Sequence, residues 1–304
     1  MKKYIISIEE LETKSIIAML DLAREIKADQ ARYGDALKGK SIGLIFQKPS
    51  NRTRVSFEIG MVQLGGNAIY LGPDEIAMGK RESVKDVAAV LSRYLDGIVA
   101  RTHKHEDLCQ LARYATVPVI NGLSDRAHPC QGLSDIFTIK EKFGSFKNIT
   151  LAYVGDGNNV LNSLMCAAAK VGLDIKIAAP KGYEPSKELL KTAESIAVKS
   201  GSAVDLTNDP RIAVRGADII YTDVWVSMGQ EKEAKLRLKA FRNFQVNDNL
   251  LKLAKKKCLV MHCLPAHRGQ EITDSVIDSK NSIIYDQAEN RMHVQKAMLL
   301  QLLK

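Results

Sequence analysis

Short apolar runs recur along the chain, each followed by a turn and then by a stretch whose apolar residues return at helical spacing. They are SIGLIF (41–46), NAIYL (67–71), DGIVAR (96–101), VPVING (117–122), NITLAYVG (148–155), DIKIAAP (174–180), ADIIYTD (217–223), CLVMHCLP (258–265) and NSIIYDQ (281–287). Runs of this length with little alternation suit strands buried on both faces. The stretches between them read as helices. In RTRVSFEIGMVQLGG, Val55, Ile59 and Val62 fall on one face and paired glycines close the helix.

Strands alternating with helices predict an α/β protein with parallel sheets. The segment DIFTIKEKFGSFKN (135–148) reads as a helix leading into a Gly/Ser turn, with four strand candidates before it and five after. The expectation is two doubly wound parallel-sheet domains joined by interdomain helices. Their predicted bounds are 1–135 and 146–288, with the helical segment 289–304 packing back on the first domain.

A chain of 304 residues can bury two cores of this kind, and 45% hydrophobic with 26% charged residues is ordinary for a globular protein. No apolar stretch has the length of a secretory signal core or a membrane span, so a cytoplasmic location without membrane association is expected. Cys109, Cys130, Cys166, Cys258 and Cys263 form no CxxC, and reduced thiols are expected. The net charge of +9 raises nucleic-acid binding as an alternative. The lysines are scattered among glutamates, which favours a solvated surface. The densest run, AKKKC (254–258), reads as a helix C-terminus.

Ligands of such sheets bind beyond the carboxyl ends of the strands. The residues just past each apolar run are therefore the candidates for a site. After the first run comes QKPSNRTR, where free backbone N–H groups at a helix start favour an anion. Ser50 or Asn51 would cap that helix. Capping alone does not call for Arg52 and Arg54 in a first turn, where the dipole disfavours cations. An anion bound there supplies the reason. Arg101 ends DGIVAR. In AHPCQ, Pro129 holds His128 out of helical geometry, and Gln131 lies three residues on, so the pair could polarise a carbonyl or amide.

GDGNNV (155–160) raises a dinucleotide site, but Val160 stands where the third glycine or alanine of that fingerprint belongs. An NAD-dependent oxidoreductase is therefore disfavoured. Asn158 and Asn159 suit a polar small molecule instead. In DVWVSMG, Asp223 at a strand end is an acid placed to hold an ammonium group, against the plainer reading of an Asp cap before a Gly turn. MHCLPAHRG carries His262, Cys263 and His267 without zinc-finger spacing, so no metal is expected. Cys263 suits a substrate contact better than a nucleophile, because no local base is evident. Arg291 comes after the last apolar run and alone would be a surface arginine.

FQKPSNRTRVSFE, HPCQ, DVWVSMG and MHCLPAHRG, in this order, resemble the ornithine branch of the aspartate/ornithine carbamoyltransferase family, over nearly the whole chain. SxRTR and HPxQ mark carbamoyl phosphate transfer in that family, and DxxxSMG with HCLP marks ornithine as acceptor. The resemblance implies an enzyme that gives citrulline and phosphate, in arginine biosynthesis or ornithine/citrulline interconversion, with no cofactor. It implies carbamoyl phosphate at Ser50, Asn51, Arg52, Thr53, Arg101, His128, Gln131, Cys263, Leu264 and Arg291, and ornithine at Asn159, Asp223, Ser227 and Met228. Arg101, His128, Asp223 and Cys263 would serve catalysis. Arg54 would make a subunit contact or an internal ion pair. The chain departs from the family at Asn51, where threonine is usual, and at Ala77, where many ornithine enzymes carry Gln or His. A homotrimer or trimer-based assembly is implied by the resemblance alone. Acceptors such as N-acetylornithine, putrescine or aspartate are disfavoured by the intact SMG and HCLP.

Overall fold

The computed structural model describes residues 4–79, 81–227 and 229–304. The fold resolves into two compact units, Met1–Phe137 with Glu289–Lys304, and Thr138–Ala288.

The first unit holds a five-stranded parallel sheet of β1 (Tyr4–Ile5), β2 (Ser41–Phe46), β3 (Asn67–Leu71), β4 (Gly97–Arg101) and β5 (Val119–Leu123), in the order β1-β5-β4-β2-β3. β3 lies on one side of β2, and the chain then crosses to the other side for β4, so the winding reverses between β2 and β4. The central strands are buried along their length, as their unbroken apolar sequences require. The pairing of β4 with β5 slips at Ala100/Arg101, next to Arg101 at the strand end.

The second unit repeats the plan with β6 (Thr150–Val154), β7 (Asp174–Ala178), β8 (Val204–Thr207), β9 (Ile219–Thr222) and β10 (Leu259–His262), ordered β10-β9-β6-β7-β8 and parallel throughout. Here the winding reverses between β6 and β9. In an open parallel sheet this reversal point is where the loops part and a ligand can enter.

The structure corrects several local expectations. Residues 281–287 form no strand: helix Ile284–Leu303 begins within them, and only an isolated bridge joins Ser282 to Val260. A short apolar run carries no period long enough to separate the two outcomes. β1 and β8 were not expected, one being two residues long and the other, VDLT, lying at a sheet edge and partly exposed. AKKKC forms turns rather than a helix end, with Lys255 paired to Asp218. Val55, Ile59 and Val62 do share a face of helix Asn51–Gln63, but the face is exposed; Thr53, Phe57, Gly60 and Met61 are the buried ones.

Candidate active site

Helix Asn51–Gln63 starts at the reversal point of the first sheet, and Ser50 caps it by accepting a hydrogen bond from the Thr53 N–H at 3.4 Å. Thr53 is fully buried, and its Oγ1 accepts a hydrogen bond from Arg291 Nη2 at 2.9 Å. Arg291 thus leaves its own helix to reach the first turn of another. Arg101 is 5% and His128 4% exposed. Burial and then the nearby Arg291 and Arg52 push the Arg101 guanidinium down to about 10. Burial, with Arg291, Arg101 and Arg52 behind it, holds His128 well below the ordinary imidazole range. Four donors, three of them cationic, therefore share one region, and their mutual repulsion is a standing cost that a bound anion relieves. Gln131 is buried one turn past His128, its amide donating to Asp135 Oδ1 at 2.8 Å, which fixes the direction of the side chain.

Arg54 does not belong to this set. It pairs with Glu58 at 3.0 Å, one turn along, and stacks over Tyr70 at 3.8 Å. Asn51, at the helix start, is exposed. Ala77 closes a short helix in the left-handed conformation, φ 40°.

In the second unit the reversal point joins the loop after β6 to the end of β9. Asn158 caps helix Asn159–Val171, and its amide donates to Asp223 Oδ2 at 2.7 Å. The Val224 N–H donates to Asp223 Oδ1 at 2.8 Å, and the Cys263 thiol donates to the same oxygen at 2.9 Å. Asp223 is buried, and Cys263 and Ser227 are half-buried. Asn159 begins the helix. Met228 lies outside the described residues.

The loop that presents Cys263 is braced from below. Leu264 donates its N–H to His262 Nδ1 at 2.8 Å, so Nε2 carries the ring hydrogen and faces Glu271 Oε1 at 3.1 Å. Both side chains are fully buried. The donor atoms of Asp223, His262 and Cys263 lie within 4.8 Å of one another. Both ring nitrogens of His262 are already engaged, so this imidazole has no lone pair to offer a metal.

Sequence reading anticipated Ser50, Arg52, Thr53, Arg101, His128, Gln131 and Arg291, and the structure gathers them in the first unit. In the second it joins Asp223 to Cys263, with Leu264 next in the chain, Asn159 at the start of the helix that Asn158 caps, and Ser227 four residues past Asp223. Asp135, Glu271 and the bond from Asn158 to Asp223 were not anticipated. The last two connect through hydrogen bonds between separate chain segments, which leave no mark in local spacing.

Two parallel α/β units, one with a cationic cluster and the other with an acid–thiol pair at its reversal point, define a two-domain α/β enzyme with an anionic substrate. The family model for the aspartate/ornithine carbamoyltransferase carbamoyl-P binding domain matches residues 3–141, and that for the Asp/Orn binding domain matches residues 147–302. The chain belongs to the aspartate/ornithine carbamoyltransferase family. It is 52% identical over 303 residues to an ornithine carbamoyltransferase of Archaeoglobus fulgidus, covering 99% of this chain and 97% of that one. It is likewise 52% identical over 297 residues to an anabolic ornithine carbamoyltransferase of Pyrococcus furiosus, covering 97% and 94%. A solved ornithine carbamoyltransferase from Pyrococcus furiosus superposes with a TM-score of 0.95, covering 98% of this chain and 96% of that one.

Proposed function

We propose that this chain transfers the carbamoyl group of carbamoyl phosphate to the δ-amine of L-ornithine, giving L-citrulline and phosphate. The observation that carries the reading is the cluster of Arg52, Arg101, Arg291 and neutral His128 at the reversal point of the first sheet. Ser50, Asn51, Arg52 and Thr53 hold the phosphate, with the N–H groups of the helix start behind them. Arg101, His128, Gln131 and Arg291 surround the carbamoyl end, with Cys263 and the Leu264 backbone assigned to the same substrate. Asn159, Asp223, Ser227 and Met228 hold the amino-acid head of ornithine. The domain bounds that go with this reading are 1–135 with 289–304 for carbamoyl phosphate, and 146–288 for ornithine.

The reaction needs a neutral amine. A primary alkylamine is protonated at neutral pH, so the acceptor must shed a proton before it attacks. Cys263, whose thiol donates to Asp223, and the Leu264 backbone are the groups assigned to the point where that amine meets the carbamoyl carbon. Attack on the carbamoyl carbon puts negative charge on its oxygen. Arg101, His128 and Thr53 are the donors for it, and each such donor is worth on the order of 3 kcal/mol. His128 suits this task because a neutral imidazole donates a hydrogen bond without giving up its proton. Collapse breaks the carbon–oxygen bond to phosphate, which leaves as hydrogen phosphate with the proton that the attacking nitrogen gives up, and Arg52 and the helix start stabilise its charge.

The same reading takes the enzyme as a homotrimer or a trimer-based assembly. The exposed apolar face of Val55, Ile59 and Val62 supports a subunit contact there. It also takes the enzyme as cytoplasmic, for which five free cysteines argue; among the described residues no helix is long and apolar enough to cross a membrane. The pathway is arginine biosynthesis or ornithine/citrulline interconversion.

The test is product formation from carbamoyl phosphate with ornithine, N-acetylornithine, putrescine and aspartate in turn. Citrulline from ornithine is expected. Carbamoylation of another amine in its place would overturn the acceptor, and no carbamoylation of any amine would overturn the reaction.

A further inference from the structure

Arg237 is a buried cation in the second unit, on helix Ala234–Phe241, and none of the roles assigned above uses it. Its Nη1 lies 3.0 Å from Asp156 Oδ2 and donates to the Trp225 carbonyl, also at 3.0 Å. Both side chains of the ion pair are 7% exposed. The guanidinium lies 4.9 Å from the centre of the Tyr183 ring. Trp225 stacks on Phe241, a residue of the same helix as Arg237, with ring centres 5.8 Å apart. Glu233 approaches Arg237 Nε at 3.4 Å, but its side chain is 61% exposed and screened by water.

These contacts bear on the segment from Asp223 to Ser227. Asp156 lies just past β6, two residues before Asn158. One short loop therefore grips the segment at two points: Asn158 holds the Asp223 carboxylate, and Asp156 holds Arg237, which holds the Trp225 carbonyl. Ser227 comes two residues beyond that second point. The loop itself is set firmly. Gly157 donates to the Tyr183 carbonyl at 2.8 Å, and a Cβ on Gly157 would meet the Glu184–Pro185 backbone at 2.3 Å.

Stability alone gives no reason for charges here. A buried ion pair is often replaceable by apolar side chains without loss, because both ions forfeit hydration. Burial drives the Asp156 carboxyl up to about 6 even with Arg237 beside it, and Asp223 and Glu233 push it the same way. A directional contact is what the pair adds. Apolar packing could fill the space, but it would not hold a backbone carbonyl to a fixed point.

We propose that Arg237 and Asp156 are positioning residues for the acceptor amino acid: they fix the Trp225 carbonyl, and through it Ser227, and so set acceptor affinity. The inference rests on the reading that Asp223 and Ser227 hold the ornithine head.

The test compares Arg237→Lys, Asp156→Asn and Ser227→Ala with the wild type in steady-state kinetics. Lysine keeps the charge but cannot reach Asp156 and the carbonyl with a planar fork. Arg237→Lys is expected to raise the KM for ornithine at least tenfold, while kcat at saturating ornithine and the KM for carbamoyl phosphate stay within threefold. Asp156→Asn is expected to act in the same direction, and the double variant to be no worse than the worse single one. A merely structural role would lower active fraction and kcat without that split. If Ser227→Ala raises the ornithine KM and neither Arg237→Lys nor Asp156→Asn does, the inference is overturned. If Ser227→Ala changes nothing, the head-group reading has failed instead. Should the single variants not fold, Arg237→Met joined to Asp156→Leu removes both charges together and leaves no unpaired ion. An ornithine KM within twofold of wild type in that chain would equally overturn the inference.

Discussion

Arg52 is half-exposed while Arg101 and Arg291 are buried, so in this cluster charge and packing can be separated at one position. Arg52→Ala is expected to lower kcat by about a hundred- to a thousandfold, the scale of one lost transition-state donor. Its melting temperature should not fall, because the change removes one of the charges that depress Arg101 and His128. Differential scanning fluorimetry with inorganic phosphate checks the same point. Phosphate at a hundred times its Kd stabilises a protein by about 2.7 kcal/mol, and most of that gain should vanish in the variant. His128 supplies a pH signature. Its folded pKa lies well below the ordinary 6.5, so below pH 6.5 the unfolded chain binds a proton that the folded chain refuses. Its contribution to stability is present above pH 6.5 and is lost as pH falls below it. His128→Gln should therefore lose less stability than wild type between pH 7 and pH 5, read as denaturation midpoints in urea. At this scale Arg101 at a strand end, His128 in a turn and Arg52 at a helix start were legible because their chemistry is out of place there, whereas Arg291, inside helix Ile284–Leu303, read alone as a surface arginine and entered only through the resemblance. Glu271 and Arg237 were not legible, since their partners, His262 and Asp156, lie elsewhere in the chain.

Helix Asn51–Gln63 shows how far pattern reading reaches at the scale of the element. Its start was legible, since Ser50 is a preferred cap and glycines lie past the far end. Its buried face was not. Val55, Ile59 and Val62 look like a core stripe, yet the small and mixed set of Thr53, Phe57, Gly60 and Met61 faces inward, with Lys296 against Gly60. The apolar period locates a face without saying what covers it. The strand order was likewise beyond spacing rules: nothing local to DGIVAR says that it pairs with SIGLIF, yet that pairing places Arg101 opposite Phe46, four residues before the cap. The loop after β6 gives the element-level prediction. Gly157→Ala would press a methyl into the Glu184–Pro185 backbone at 2.3 Å, a contact that backbone on both sides can relieve only by moving. A loss of about 2–3 kcal/mol is expected, as for other overpacked sites, with a raised ornithine KM because Asp156 and Asn158 flank the displaced residue. Wild-type stability and kinetics in this variant would show the loop to be slack.

At the scale of the whole molecule, two surface properties arise from composition and exposure rather than from any one site. The chain carries 44 basic and 35 acidic residues. A net positive protein draws in a dianion, so kcat/KM for carbamoyl phosphate should fall as ionic strength rises, more steeply than the KM for ornithine changes. The apolar face of helix Asn51–Gln63 is the second property. Val55, Ile59 and Val62 are 54%, 42% and 63% exposed. Such side chains are ordinary one at a time, but a row of them at helical spacing invites association. If this face is the subunit contact of the proposed trimer, charge placed on it should act on assembly before it acts on folding, because none of the three side chains is in the core. Val55→Lys with Val62→Glu is expected to move the mass measured by light scattering from three times 33.6 kDa towards a single chain, with the circular dichroism spectrum unchanged. A variant that remains trimeric would move the contact to another surface, and a wild type that elutes as a monomer would remove the trimer itself.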